Sequence, residues 1–276
     1  MADLNPIFES RAYLPVHVAG DFAAFGGDPN FVLSLARGLK VIEAFQGHTE
    51  GQSVADIARR TKLSRAAVRR LLITLEFLGY AESNGRAYRL TSHVLKLGFS
   101  YLSSASLPTI AQPELDKITE AVDESSSLSV RDGDEIVYIA RSSAKRVMSV
   151  GLSVGSRLPA YCTSMGRVLL SALPEEQLAA YLERVEVKSH TPKTITDKKI
   201  IGDIIRRVRS DGFALTDEEL ELGLRSIAVP VRTRHECIIA AMNIGVHAAR
   251  VSAGEMIHRF LPILQESANN LSQFLR

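Results

Sequence analysis

Ser53 and Ser64 stand eleven residues apart, and each opens an apolar pattern of helical period. After Ser53, the run VADIARR turns Val54, Ala55, Ile57 and Ala58 inward and leaves Asp56 at the helix start, where a negative charge is favoured. After Ser64, RAAVRRLLITLEFLGY sets Val68, Leu71, Leu72, Leu75 and Leu78 on one face, and Gly79 supplies a stop. Only Thr61-Lys62-Leu63 separates the two segments. Two short helices across so short a turn predict a helix-turn-helix. Upstream, Val32, Leu35, Leu39, Ile42 and Phe45 repeat at helical spacing and predict a further helix with these residues inward. Downstream, Asn84-Gly85 lies between strand-like runs at 80–82 and 87–90, a strong hairpin signal. Three helices and a hairpin make a winged helix-turn-helix over residues 31–91.

Charge follows the same boundary. Residues 37–89 hold ten Lys/Arg and five Asp/Glu, while the rest of a chain of net charge +2 holds 23 and 26. A short basic module on a slightly acidic body is the footprint of a nucleic-acid-binding domain joined to another domain. The outward side of the third helix carries Arg65, Arg69 and Arg70 beside Lys62 and Ser64, and Arg65 and Arg69 share a face. Such a helix presents its N-terminal residues to the major groove, where arginine pairs with guanine or grips phosphate. Arg86 at the hairpin tip and Ser53 at the preceding helix start complete the expected DNA contacts. Taken singly, each arginine reads as a solvated surface residue; the helix-turn-helix spacing decides for DNA.

Residues 1–30, with Pro6, Pro15 and Pro29 and no sustained period, read as an irregular arm suited to docking on a neighbouring chain. SHVLKLGFSYLSSA, opening a linker over 92–106, reads as a helix apolar nearly all round, ended by Leu107-Pro108 and suited to pairing with its copy. From 107 to 276 strands and helices alternate. A hairpin turns at Asp132-Gly133-Asp134, VMSVGLSVGSRLPAY is strand-like, and TSMGRVLLSAL and KIIGDIIRRVRSD are helices. Thr216 with Glu219 and Ser252 with Glu255 have capping-box spacing, IAVPVR and ECIIAAMNIGV are buried strands, and Pro262 predicts a kink in the last helix. The fold class is α+β, with an antiparallel sheet flanked by helices. At Thr163-Ser164-Met165-Gly166 a helix start offers free N–H groups and hydroxyls to an anion.

Other chemistries are set aside. Gly151-Leu152-Ser153-Val154-Gly155 spells G-x-S-x-G, the pattern of a hydrolase using Ser153, but Pro159 follows and no helix can start before about Cys162. His235-Glu236-Cys237 lacks the converging ligands of a metal site, and Cys237 reads as buried in a strand. Neither a Walker A motif nor G-x-G-x-x-G occurs, so no catalytic residue, metal or cofactor is expected. Two cysteines, no apolar run long enough to span a bilayer and no secretory signal predict a cytoplasmic protein with no membrane partner. A sensor or interaction protein without specific DNA binding is the alternative from another class.

These motifs, in order, carry a resemblance. LARGLKVIEAF, SVADIARRTKLSRAAVRRLLITLEFLGY, YRLT with LKLG, RLPAYCTSMGRVLL and GLRSIAVPV together resemble the IclR family of transcription regulators from about residue 31 onward. The stretch VYIARSSAKRVMSVGLSVGSRLPAYCTSMGRVLL is similar to its PcaR/PcaU/PobR branch, which regulates aromatic-acid catabolism. The resemblance implies a GAF-like effector domain, dimers or tetramers, double-stranded operator DNA, contact with RNA polymerase, and a protocatechuate, 4-hydroxybenzoate or β-ketoadipate type of effector. It points to Thr163, Ser164 and Met165, to Ser226 and Asn243, and to a Thr216–Asp217 turn. Val150 and Leu158 would be apolar walls, and Arg141 and Arg225 charge partners. For Arg225 a structural role, and for Ser226 simple strand filling, stand beside the ligand reading.

Overall fold

The computed structural model describes residues 29–48, 50–104, 106–144 and 152–275. The expected N-terminal arm and Val150 lie outside them. The chain forms two compact units, one ending at residue 104 and the other continuing to the C-terminus.

The first unit contains α1 (Leu33–Glu43), α2 (Val54–Thr61) and α3 (Arg65–Phe77), then the hairpin β1 (Ala81–Ser83) and β2 (Tyr88–Leu90), and α4 (Leu95–Ser104). Val41, Ile57, Val68 and Leu72 are wholly buried at its centre. Truncating any of them to alanine removes packing worth about 1–5 kcal/mol. The α1 expectation is corrected in part: Phe45 is buried and Ile42 packs against the core as expected, but Val32, Leu35 and Leu39 face outward, and Val41 and Ala44 fill the core instead. Leu78, expected inward, is also exposed. So is Leu95 at the start of α4, a position suited to pairing with another surface.

The second unit is built on a six-stranded antiparallel sheet of order β5-β4-β3-β8-β7-β6. Its strands are β3 (Ser125–Asp132), β4 (Glu135–Ser142), β5 (Arg157–Pro159), β6 (Ala214–Asp217), β7 (Leu224–Arg232) and β8 (Ile238–His247). One face carries Leu128, Ile139, Ala140, Val229 and Met242 against α5 (Ser106–Val122) and α10 (Leu261–Ser272). The other carries Ile136, Tyr138, Ala228 and Ala241 toward α6 (Ser164–Ser171), α7 (Glu175–Arg184) and α8 (Lys198–Asp211).

Several local expectations change. Pro108 does not end the linker helix; it sits in the first turn of α5, where a missing N–H leaves no bond unmade. Of the strand expected over 147–161, the described residues form strand only in β5, and Ser153–Gly155 form a turn before it with Gly155 at φ +90°. A strand follows that turn, not a helix, so the G-x-S-x-G run is no nucleophile elbow. Thr216 and Glu219 form no capping box: Thr216 belongs to β6, and the Glu219 carboxylate is taken by Arg167. Ser252 and Glu255 do form one, ahead of α9 (Ala253–Glu255). A π-helical turn over Met256–Phe260 precedes α10, whose first turn holds Pro262.

Candidate functional site

In the first unit the caps settle where α2 and α3 begin. Ser53 Oγ accepts from Asp56 N at 3.2 Å, and Ser64 Oγ from Ala67 N at 3.2 Å. Between them Lys62 takes the left-handed conformation, φ 57°, that reverses the chain. Both predicted serines are therefore engaged in capping. Arg65, Arg69 and Arg70 project from the first two turns of α3 and are exposed. The wing tip is closed by Asn84 Oδ1, which accepts from Arg86 N and Ala87 N, and by Gly85 at φ +86°, where a side chain would be strained. Arg86 is exposed at that tip.

The cations from α2 to the wing divide into two sets. Arg59 pairs with Asp56, Arg89 with Glu82, and Arg60 donates to Gln52 and to the Gln46 carbonyl. Among the described residues, no carboxylate pairs with Lys62, Arg65, Arg69, Arg70 or Arg86. A sequence reading missed one stabilising piece: Gln52 exchanges two backbone bonds of 2.8 Å with Tyr88, adding a third, one-residue strand to the wing. Nothing in the pattern around Gln52 announces it.

In the second unit a cavity of about 440 Å³ opens on the α6 side of the sheet. Helix α6 is held close to the preceding chain. A Cβ on Gly166 would lie 2.2 Å from the Ala160 carbonyl oxygen, so only glycine permits that approach. Thr163 caps the helix: its hydroxyl accepts from Gly166 N at 3.2 Å and donates to the Pro159 carbonyl at 2.9 Å. The next two N–H groups, of Ser164 and Met165, have no partner within the helix. Ser164 Oγ lies 2.7 Å from Ser226 Oγ, and Asn243 Nδ2 donates to Ser226 Oγ at 2.9 Å. The Asn243 Oδ1 atom is buried and has no partner among the described residues. Ser129 Oγ donates to Met165 Sδ at 3.2 Å.

Across the cavity stands Arg141, which donates to Ser127 Oγ and Ser143 Oγ, each at 3.2 Å. No carboxylate among the described residues pairs with it. Burial holds its guanidinium below the ordinary arginine value. Tyr138 shares this wall, and burial pushes its phenol up to about 12. Three residues apart on a regular strand, Tyr138 and Arg141 would face opposite ways. A β-bulge at Ile139, where Leu128 pairs with Ala140 but Ser129 with Tyr138, turns both to the cavity.

Of the residues expected at an effector, Leu158, Thr163, Ser164, Met165, Thr216, Ser226, Asn243 and Arg141 all line this space. Asp217 and Arg225 do not. Arg225 donates to Asp217 Oδ1 at 2.9 Å and to the Ala248 and Val251 carbonyls, which fixes the end of β7 and leaves it no free donor face. Tyr138, Leu152 and Glu219 are walls that pattern reading missed. Glu219 is bidentate with Arg167, both bonds 2.7 Å and both side chains buried, while Arg167 Nε also donates to the Tyr161 carbonyl. Cys162 is buried in the wall, and burial, with the nearby Glu219 charge, pushes its thiol up to about 12. It is not a low-pKa redox thiol. Cys237, expected to be buried, is exposed. Among the described residues there is no cluster able to hold a metal, and no helix is long and apolar enough to cross a membrane.

The IclR helix-turn-helix family model matches residues 34–85, and the model of the bacterial transcriptional regulator IclR C-terminal domain matches 99–273. This chain belongs to the IclR family. It is 49% identical to the Pca regulon regulatory protein of Pseudomonas putida over 90% of its own length and 86% of that protein's. A solved structure of a transcriptional regulator from Rhodococcus sp. RHA1 superposes with a TM-score of 0.77 at 47% identity, covering 89% of this chain and 98% of that one. The inducer-binding domain of PobR from Acinetobacter, a double mutant solved with 3-hydroxybenzoic acid, matches at 36% identity and a TM-score of 0.60. That match covers 62% of this chain and all of the PobR domain. The IclR-family chain is therefore a transcription regulator and not an enzyme. Its α+β fold, a winged helix-turn-helix followed by an antiparallel sheet with helices, is that of its family.

Proposed function

We propose that this regulator reads a specific operator through α3 and the wing and answers to a small aromatic carboxylic acid held in the cavity of the second unit. The observation that carries the effector half is Arg141: a guanidinium facing the cavity with hydroxyl neighbours and no acidic partner among the described residues. A desolvated cation gains most from a charged acceptor, and a carboxylate matches its two-pronged geometry. The N-terminal turn of α6 adds uncommitted N–H groups and a partial positive charge. Leu152 and Leu158 give the apolar wall that a ring or carbon chain needs. The relatives' names point the same way, to the Pca regulon and to a hydroxybenzoic acid.

On the DNA side, Arg65 and Arg69 enter the major groove, Arg70, Lys62 and the Ser53 and Ser64 caps meet phosphate, and Arg86 reaches the backbone from the wing. Two copies of residues 31–91 in a symmetric dimer, or in a dimer of dimers, read a palindromic site. The effector acts by binding one arrangement of the regulator more tightly than another, which shifts its affinity for the operator or its contact with RNA polymerase.

Calorimetry tests the effector half, with protocatechuate, 4-hydroxybenzoate and β-ketoadipate titrated into the parent and into Arg141→Met. The parent is expected to bind at least one of these acids. The variant should lose about tenfold or more of that affinity, the worth of a hydrogen bond to a charged group. Undiminished binding by Arg141→Met would remove the carboxylate from this position.

A further inference from the structure

Taking the first unit as a reader of specific DNA, we propose that Gln52 is a positioning residue whose buried amide fixes the wing, and with it Arg86, relative to the arginines of α3. Gln52 lies in the segment between α1 and α2 and is 6% exposed. Its backbone exchanges two bonds with Tyr88 of β2, and its side chain bonds to the helices. Nε2 donates to the Ala44 carbonyl at 3.0 Å, at the C-terminal end of α1. Oε1 accepts from Arg60 Nη1 at 3.2 Å, in the last turn of α2, and Arg60 Nη2 donates to the Gln46 carbonyl at 3.3 Å. A carbonyl only accepts and a guanidinium only donates, so the amide is locked in one orientation with both ends met. One residue joins two helices to the wing.

The wing needs such a joint. Its strands pair only Ala81 with Leu90, Glu82 with Arg89 and Ser83 with Tyr88. A hairpin this short has little stability of its own. Its base is held by the buried Ala81 and by Thr91, whose N–H donates to the Tyr80 carbonyl at 3.0 Å. Tyr88 belongs to the pair nearest the tip, and Arg86 stands two residues before it. The Gln52 bonds therefore act at the end of the hairpin that carries the cation.

Removing the amide leaves the Ala44 carbonyl and the Arg60 guanidinium without this partner. The bridge to Tyr88 then hangs from a segment that the side chain no longer ties to α1 or α2. Helix α3 depends on none of this: Ser64 caps it, and Val68 and Leu72 anchor it in the core. Loss of the amide should silence Arg86 and spare Arg65.

The test is a double-mutant cycle on the full chain, read by gel shift over a salt series with a duplex enriched from a random library by the parent. In the parent, Arg86→Ala should weaken binding about fivefold, the worth of one hydrogen bond, and lower the salt slope by about one phosphate contact. In Gln52→Met, close in length but without the amide, Arg86→Ala should change binding by less than about twofold, while Arg65→Ala costs the same factor as in the parent. A merely structural role would leave both factors unchanged in protein that is folded. Should Gln52→Met fail to fold, which thermal melting reveals, Arg60→Met removes one partner of the amide from the surface and reads the same cycle. A folded variant in which Arg86→Ala costs as much as in the parent overturns the positioning role and leaves the DNA reading standing. So does a parent in which Arg65→Ala weakens binding and Arg86→Ala does not. A parent that enriches no sequence overturns both.

Discussion

The two units treat positive charge in opposite ways. In the first, a group of unmatched cations stands outside: Lys62, Arg65, Arg69, Arg70 and Arg86 are exposed without acidic partners among the described residues, while their neighbours Arg59 and Arg89 are paired. In the second, the arginines in or near the cavity are matched. Arg167 holds Glu219, Arg225 holds Asp217 and Arg250 holds Glu124, while Arg141 holds no carboxylate. An unmatched cation marks where an anion from outside the chain belongs. Several on one convex surface suit a polyanion, and one inside a cavity suits a single small acid. The contrast makes three further predictions.

The largest effect concerns a matched charge. Arg167→Met leaves the Glu219 carboxylate buried without its two 2.7 Å bonds. Removing one partner of such a pair is expected to destabilise the second unit by about 3–5 kcal/mol, read by denaturant unfolding. Paired surface charges should behave otherwise: Arg59→Ala should shift stability by about 0.5 kcal/mol or less. Comparable losses in the two variants would erase the distinction between the units.

Next come the unmatched charges. Arg65→Ala and Arg69→Ala should each weaken operator binding by about 1–3 kcal/mol and lower the salt dependence by about one phosphate contact. Arg59→Ala, whose guanidinium is held by Asp56, should bind operator nearly as the parent does. Gel shifts over a salt series check both, and an equal loss from Arg59→Ala would break the division into paired and unpaired sets.

The smallest effect is on alkaline stability. Burial pushes the Cys162 thiol and the Tyr138 phenol each up to about 12 and raises Tyr181 as well. The folded state holds these protons more tightly than the unfolded chain. Stability present below the ordinary thiol value of 9.0 is therefore lost as pH climbs from there toward 12. Melting of the second unit between pH 8 and 11 should fall progressively, and Cys162→Ser should lessen the fall. In the same range exposed Cys237 should react with a thiol reagent well before Cys162.

The first unit was readable because its determinants are local. Caps, helical period and an Asn-Gly turn each act within a few residues, and they put Arg65, Arg69 and Arg86 on the surface without knowledge of anything distant. Even there, the period of α1 could not say which side meets the core, since Val32, Leu35 and Leu39 compete with Val41 and Ala44. The cavity was half readable. The start of α6 follows from TSMG alone, but its walls come from strands more than a hundred residues apart. Thr216-x-x-Glu219 has the spacing of a capping box, and only the distant Arg167 reveals that the carboxylate is committed elsewhere. Tyr138 was invisible because alternation is the rule a bulge breaks.

That bulge sets how β4 must be compared between homologues. Ile139 is the extra residue that lets Tyr138 and Arg141, three apart in the chain, share a wall. Deleting it would leave the two residues two apart on a regular strand, where alternation again puts both on one face. What the deletion changes is the other face, where Ile139 and Ala140 both pack into the core. An alignment of β4 that allows no gap between Tyr138 and Arg141 would therefore set a cavity residue of one homologue against a core residue of another.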